Sequence, residues 1–124
     1  MSVWVLLATV LAGGAASVVR YLVARLWPVR PGRLPRGILL VNVAGSALGG
    51  TALGLAERAL VSPDLSLVLL AGVCGGLTTF STWSVETLEL FGNGRWRAAL
   101  GNVGLNLGLG LGCCAVAYLL VRAL

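Results

Sequence analysis

The chain has 124 residues, 58% of them hydrophobic and only 10% charged; nine basic residues, all arginine, face four acidic ones, for a formal net charge of +5 with no histidine. A soluble domain carries roughly 25% charge, so this composition excludes a soluble enzyme and describes an integral membrane protein. The basic excess lies in short connections beside apolar stretches, which excludes a nucleic-acid-binding face.

Four stretches without Asp, Glu, Lys or Arg (1–19, 38–56, 65–85 and 98–121) run to 19, 19, 21 and 24 residues. About 20 residues cross a bilayer, so the pattern predicts a single all-α domain of four transmembrane helices over 1–124. The first helix is expected at 3–26. No basic residue precedes it, and it continues past Ala-Gly-Gly-Ala-Ala-Ser into apolar residues 21–24, so it reads as a retained span, not a cleaved leader. Three prolines punctuate the connection 27–36. The second helix is expected at 37–60, with Asn42 and Ser46 sharing a face four residues apart. Ser46, Gly50 and Gly54 form a small-residue stripe along it, flanked by Gly45 and Gly49. Such stripes let helices approach closely in lipid.

After a turn at Ser62-Pro63-Asp64, where Ser62 or Asp64 suits an N-cap, the third helix is expected at 65–91. Its run GVCGGLTTFSTWSVE (72–86) carries five hydroxyl residues, Thr78, Thr79, Ser81, Thr82 and Ser84, behind the pair Gly75-Gly76. Unsatisfied polar groups cost several kcal/mol each in hydrocarbon. The run therefore predicts a helix broken near 75–79 at mid-membrane, with its dipoles facing a cavity. Glu86 and Glu89, near the end of this helix, read as markers of the membrane interface. Gly92-Asn93-Gly94 predicts a tight turn, and the fourth helix is expected at 95–121. It carries a stripe of Gly104, Gly108 and Gly112 and a second amide pair, Asn102 and Asn106.

Taken together, Asn42, Ser46, Asn102, Asn106 and the hydroxyl cluster outline a neutral hydrogen-bonding track. Uncharged donors suit an anion that must be held weakly and then released. Phe80 and Trp83, three residues apart, can turn positively polarised ring edges to the same ion. Arg20 closes the charge-free part of the first helix, where it either snorkels to the interface or draws anions into a vestibule. Cys74, Cys113 and Cys114 read as small apolar fillers; with no histidine and the acids at helix edges, neither a metal cage nor a disulfide is expected. Nucleophile–base pairs are equally absent from the pattern, so no enzyme is expected.

The run Gly-Gly-Leu-Thr-Thr-Phe-Ser-Thr-Trp-Ser (75–84) resembles the signature of the CrcB/Fluc fluoride channels. So do Val-Asn-Val-Ala-Gly-Ser (41–46) and Gly-Gly-Ala-Ala-Ser-Val-Val-Arg-Tyr (13–21), in the same order and spacing. The resemblance covers the whole chain and implies a passive fluoride exporter of the cell membrane, built as an antiparallel dual-topology dimer with two pathways. It implies Asn42, Phe80, Ser81, Thr82 and Trp83 on the fluoride pathway, with Asn102 and Asn106 at the track positions of the fourth helix. It also implies a structural sodium ion at the dimer centre, on the backbone carbonyls of Gly75 and Thr78 from each subunit.

Two departures from that family stand out. The second aromatic is usually Phe, and here it is Trp83. Seven arginines (Arg20, Arg25, Arg30, Arg33, Arg36, Arg95, Arg97) flank one membrane face against two (Arg58, Arg122) on the other. The positive-inside rule then predicts one fixed orientation with both termini outside, whereas a dual-topology chain shows little bias. The partner is therefore either a second copy, if the loops tolerate both insertions, or an oppositely biased paralogue. A small proton-coupled multidrug exporter would need an acidic residue within the first helix, and stretch 1–19 has none. A non-transporting scaffold, with the polar groups only locking helices together, is the remaining reading.

Overall fold

The computed structural model describes residues 2–31 and 33–124. Met1, which opens the first apolar stretch, and Gly32, in the connection 27–36, lie outside the described residues. The described residues are helical without a strand, and four spans are long and apolar enough to cross a membrane.

Helix α1 (Val3–Leu26) begins where the Ser2 side chain accepts the Val5 N–H, and it stops before Pro28. Helix α2 (Arg36–Glu57) starts directly after Pro35 and ends three residues before the expected position 60. There Ala59 takes a positive φ of 55°, and Arg58 and Ala59 turn back onto the carbonyls of Gly54 and Ala56. Ser62, not Asp64, caps the third span by accepting the Leu65 N–H at 3.2 Å.

The third span divides. Its first half, α3 (63–77), is α-helical at Pro63–Leu67 and Gly75–Leu77 and π-helical across Val68–Cys74. Thr78 and Thr79 are extended, and α4 (Phe80–Gly92) resumes the crossing. The break thus falls at the threonines just after the glycine pair. Gly75 and Gly76 weaken the helix, and the hydroxyls that follow supply replacement hydrogen bonds. Thr78 donates its hydroxyl to the Cys74 carbonyl at 2.9 Å, and Thr79 caps α4 by accepting the Thr82 N–H at 3.2 Å. Asn42 of α2 completes the exchange. Its Oδ1 accepts the Thr79 N–H at 2.8 Å and its Nδ2 donates to the Thr79 carbonyl at 3.2 Å. One side-chain amide therefore satisfies both polar groups of a residue that the helix has dropped.

Gly94, at φ 72°, ends the turn after α4, with the Arg95 N–H returning to the Leu90 carbonyl at 2.8 Å. Helix α5 (Trp96–Ala123) closes the chain. It packs along α2, and α3 packs along α1. Both contacts are made through glycine: a Cβ at Gly50 would overlap the Cys114 carbonyl, and one at Gly76 would overlap the Gly13 carbonyl. Gly110 of α5 rests against Ser46, whereas Gly104, Gly108 and Gly112 meet nothing within 4 Å. The expected stripe on the last helix therefore faces outward. A small core of Ala16, Ile38, Val41 and Leu77, covered in part by Trp83, lies beneath the break.

Candidate functional site

A cleft of about 260 Å³ opens at the break, lined by Asn42 and Ser46 of α2, Thr78, Thr79, Phe80 and Trp83 of the third span, and Asn106 and Leu107 of α5. No charged side chain lines it. Phe80 stands at its mouth, 75% exposed, and meets Trp83 edge-on with ring centroids 5.2 Å apart and planes at 70°. The indole N–H of Trp83 is turned inward and donates to the Asn102 carbonyl at 3.4 Å. The added donor of Trp83 thus anchors the ring to α5, leaving only the ring edge for the cleft.

The three asparagines form one chain of hydrogen bonds. Asn42 Nδ2 donates to Asn106 Oδ1 at 3.0 Å, and Asn106 Nδ2 donates to both the carbonyl and Oδ1 of Asn102, at 3.0 and 3.1 Å. Asn102 Nδ2 donates in turn to Thr87 Oγ1 at 2.9 Å, and the Thr87 hydroxyl donates to the Trp83 carbonyl at 2.7 Å. Asn102 is 1% exposed and lies behind the cleft wall, whereas Asn42 and Asn106 line the cleft itself. Thr87, a buried member of this chain, escaped the sequence reading. Its spacing of four from Trp83 on one helix face was the available signal.

Ser81 and Thr82 gather on the Thr79 hydroxyl, each at 3.2 Å, next to the cleft but outside its lining. Arg20 points to the break: its Nε donates to the Gly76 carbonyl at 3.1 Å, beside the Ser17 hydroxyl at 3.2 Å. A charge on α1 thereby caps the C-terminal end of α3. The bonds of the break engage the carbonyls of Cys74, Gly76 and Thr79. Those of Gly75, which is exposed, and Thr78, which is half-buried, stand outside this set. Glu86 lies near the end of its helix, beside the connection at 29–31 and the turn at Asn93. It is 91% buried, its Oε2 has no hydrogen-bond partner, and it lines a cavity of about 280 Å³ with Arg30, Pro31 and Glu89.

A family model described as CrcB-like protein, Camphor Resistance (CrcB), matches residues 7–118. The chain belongs to the CrcB-like family. Among curated CrcB-like relatives, fluoride-specific ion channel FluC 2 of Prochlorococcus marinus (strain MIT 9313) is 43% identical over 103 residues, covering 77% of this chain and 80% of that protein. Fluoride-specific ion channel FluC 1 of Yersinia pseudotuberculosis serotype I (strain IP32953) is 38% identical over 118 residues, covering 94% and 93%. Fluoride-specific ion channel FluC of Shewanella sp. (strain ANA-3) is 43% identical over 115 residues, covering 92% and 90%. CrcB-like membership agrees with the multi-pass architecture and with a role other than catalysis.

Proposed function

We propose that this chain is a subunit of a passive fluoride channel in the cell membrane, which lets cytoplasmic fluoride leave and so protects against its toxicity. The observation that carries the reading is the uncharged polar cleft at the break of the third span, in a chain whose relatives are named fluoride-specific ion channels. A negative-inside potential supplies about 2.3 kcal/mol per 100 mV for each anion expelled, so no energy-coupling domain is required. Amide and hydroxyl donors with ring edges bind an anion without trapping it, as a fixed cation would. In this reading Asn42, Phe80 and Trp83 contact the ion, Asn106 lines the pathway beside Asn42, Ser81 and Thr82 extend the track, and Asn102 supports it from behind. Arg20 gives the vestibule beside the break its positive potential.

The pathway needs a second subunit. The cleft is open on its outer side, Phe80 projects from it, and the outward stripe of Gly104, Gly108 and Gly112 leaves room for a closely packed helix. An antiparallel dimer, as either a homodimer or a heterodimer with a paralogue, would close it. With Arg20 held at the break, the arginine bias is six to two and still favours the paralogue, and two of the relatives named above carry numbered names, FluC 1 and FluC 2. The Gly75 and Thr78 carbonyls are oxygen donors of the kind that hold a hard cation such as sodium. One subunit supplies only two of them and a pair of subunits four, so an enclosing oxygen site would form only when both subunits contribute. A sodium ion there would pin the two breaks together.

Fluoride efflux from liposomes carrying the purified protein, with chloride as control, tests the reading. Fast fluoride-selective efflux, lost in Asn42→Asp and in Phe80→Ile, is the expected result. Equal efflux of both halides, or efflux indifferent to both substitutions, would sink it. Silence of the chain alone that is relieved by co-expressing a paralogue would identify the heterodimer.

A further inference from the structure

The donors expected to meet the anion are already spent. Asn42 has two amide hydrogens, and Nδ2 is bonded both to the Thr79 carbonyl and to Asn106 Oδ1. The first of these bonds holds the broken backbone and cannot be given up without orphaning a part-buried carbonyl. The second crosses the cleft itself, since Asn42 and Asn106 both line it. Asn106 Oδ1 occupies the position at which an anion would accept from Asn42.

We infer that Asn106 is an internal ligand: its amide oxygen holds the Asn42 N–H that a passing anion takes, and reclaims it when the anion leaves. The inference rests on the channel reading above. Exchange of one acceptor for another never leaves the N–H bare in a low-dielectric site, where an unmade hydrogen bond costs most. An anion accepts more strongly than a neutral amide oxygen, so it can enter. The waiting oxygen then subtracts the strength of one neutral hydrogen bond from the anion's hold and speeds its departure. Thr87 and Asn102 are positioning residues for this exchange. Both Asn106 hydrogens go to Asn102, and Asn102 is fixed by Thr87, so the oxygen of Asn106 is aimed at Asn42 by groups an anion never touches.

The dependence of efflux rate on fluoride concentration in liposomes discriminates. Asn106→Leu removes the competing oxygen and leaves one Asn42 N–H without an acceptor. The half-saturating fluoride concentration should fall about five- to tenfold, the worth of one neutral hydrogen bond, and the maximal rate should fall with it. Thr87→Val, which loosens Asn102, should shift half-saturation in the same direction by a smaller factor, and Thr87→Ser should restore the wild-type value. A merely structural role would lower the maximal rate and leave half-saturation in place. An unchanged or raised half-saturating concentration in Asn106→Leu and Thr87→Val, in protein of wild-type size on gel filtration, overturns the inference and leaves the channel reading intact. If Asn106→Leu does not fold, the Thr87 pair decides alone. A wild-type assembly that passes no fluoride overturns the channel reading, and this inference with it.

Discussion

Asn42 serves two structures at once. Its amide replaces the helix bonds lost at Thr79 and reaches Asn106 across the cleft, so the break and the candidate pathway share one side chain. Asn42→Leu should therefore damage folding as well as flux. Two unsatisfied backbone groups at about 1–3 kcal/mol each are a large share of a stability of about 5–15 kcal/mol, and the checkable outcome is aggregated or unassembled protein on gel filtration. Trp83 behaves differently. Its indole N–H makes one long bond to Asn102, worth about 1 kcal/mol or less, while its ring keeps the edge-on contact with Phe80. Trp83→Phe should retain fluoride efflux and lower thermal stability by a few degrees. Complete loss of efflux would instead give the indole itself a place in the pathway. At this scale the sequence was legible in residue type: it marked the amides and aromatics, because such groups are rare in lipid. It did not reveal that Asn102 is buried at 1% exposure while Asn106 lines the cleft, since both stand on one face four residues apart.

The broken span is the element on which the rest depends. Gly-Gly followed by Thr-Thr announced an interruption, and the structure sets it at Thr78 and Thr79, with α4 starting at Phe80. The π-helical stretch Val68–Cys74 had no counterpart in the sequence reading; its residues are ordinary apolar ones, and the stretch packs against α1. Thr79→Ala should remove the cap of α4 and cost about 1 kcal/mol of stability, with Thr79→Ser recovering it, as thermal denaturation in detergent would show. Gly76→Ala should be far more damaging. The added methyl would overlap the backbone of Gly13, and two backbones cannot yield as a flexible side chain can, so overpacking of about 1–3 kcal/mol or more is expected. Gly104→Ala meets open space within the subunit. It should leave a single subunit undisturbed and weaken dimerisation if that stripe packs against the partner, which cross-linking in the membrane would measure.

The whole molecule exposes a great deal of apolar surface, including Trp4, Leu11, Phe80 and Leu111 at 70% or more, which lipid covers and which the proposed second subunit would share. Charge distributes the ends unequally. Arg25, Arg30, Arg33, Arg36, Arg95 and Arg97 lie at one end of the bundle or in its connections, and Arg58 and Arg122 at the other, where Arg58 bonds the Val121 carbonyl at 2.7 Å. A C-terminal tag should accordingly be accessible from outside alone; accessibility from both sides would favour a homodimer of oppositely inserted copies. Sequence alone determined the four spans, their connections, the interruption and the residue types of a neutral track. These follow from hydrophobic runs, turn residues and the cost of polar groups in hydrocarbon, all of which act locally along the chain. Tertiary structure decided which hydrogen bonds those groups make: Arg20 on the break, Trp83 tied to α5, Glu86 buried near the 29–31 connection, and three amides joined in one chain. Partners in those bonds lie up to 64 residues apart, and only the packing of α1, α2 and α5 around the break brings them within reach.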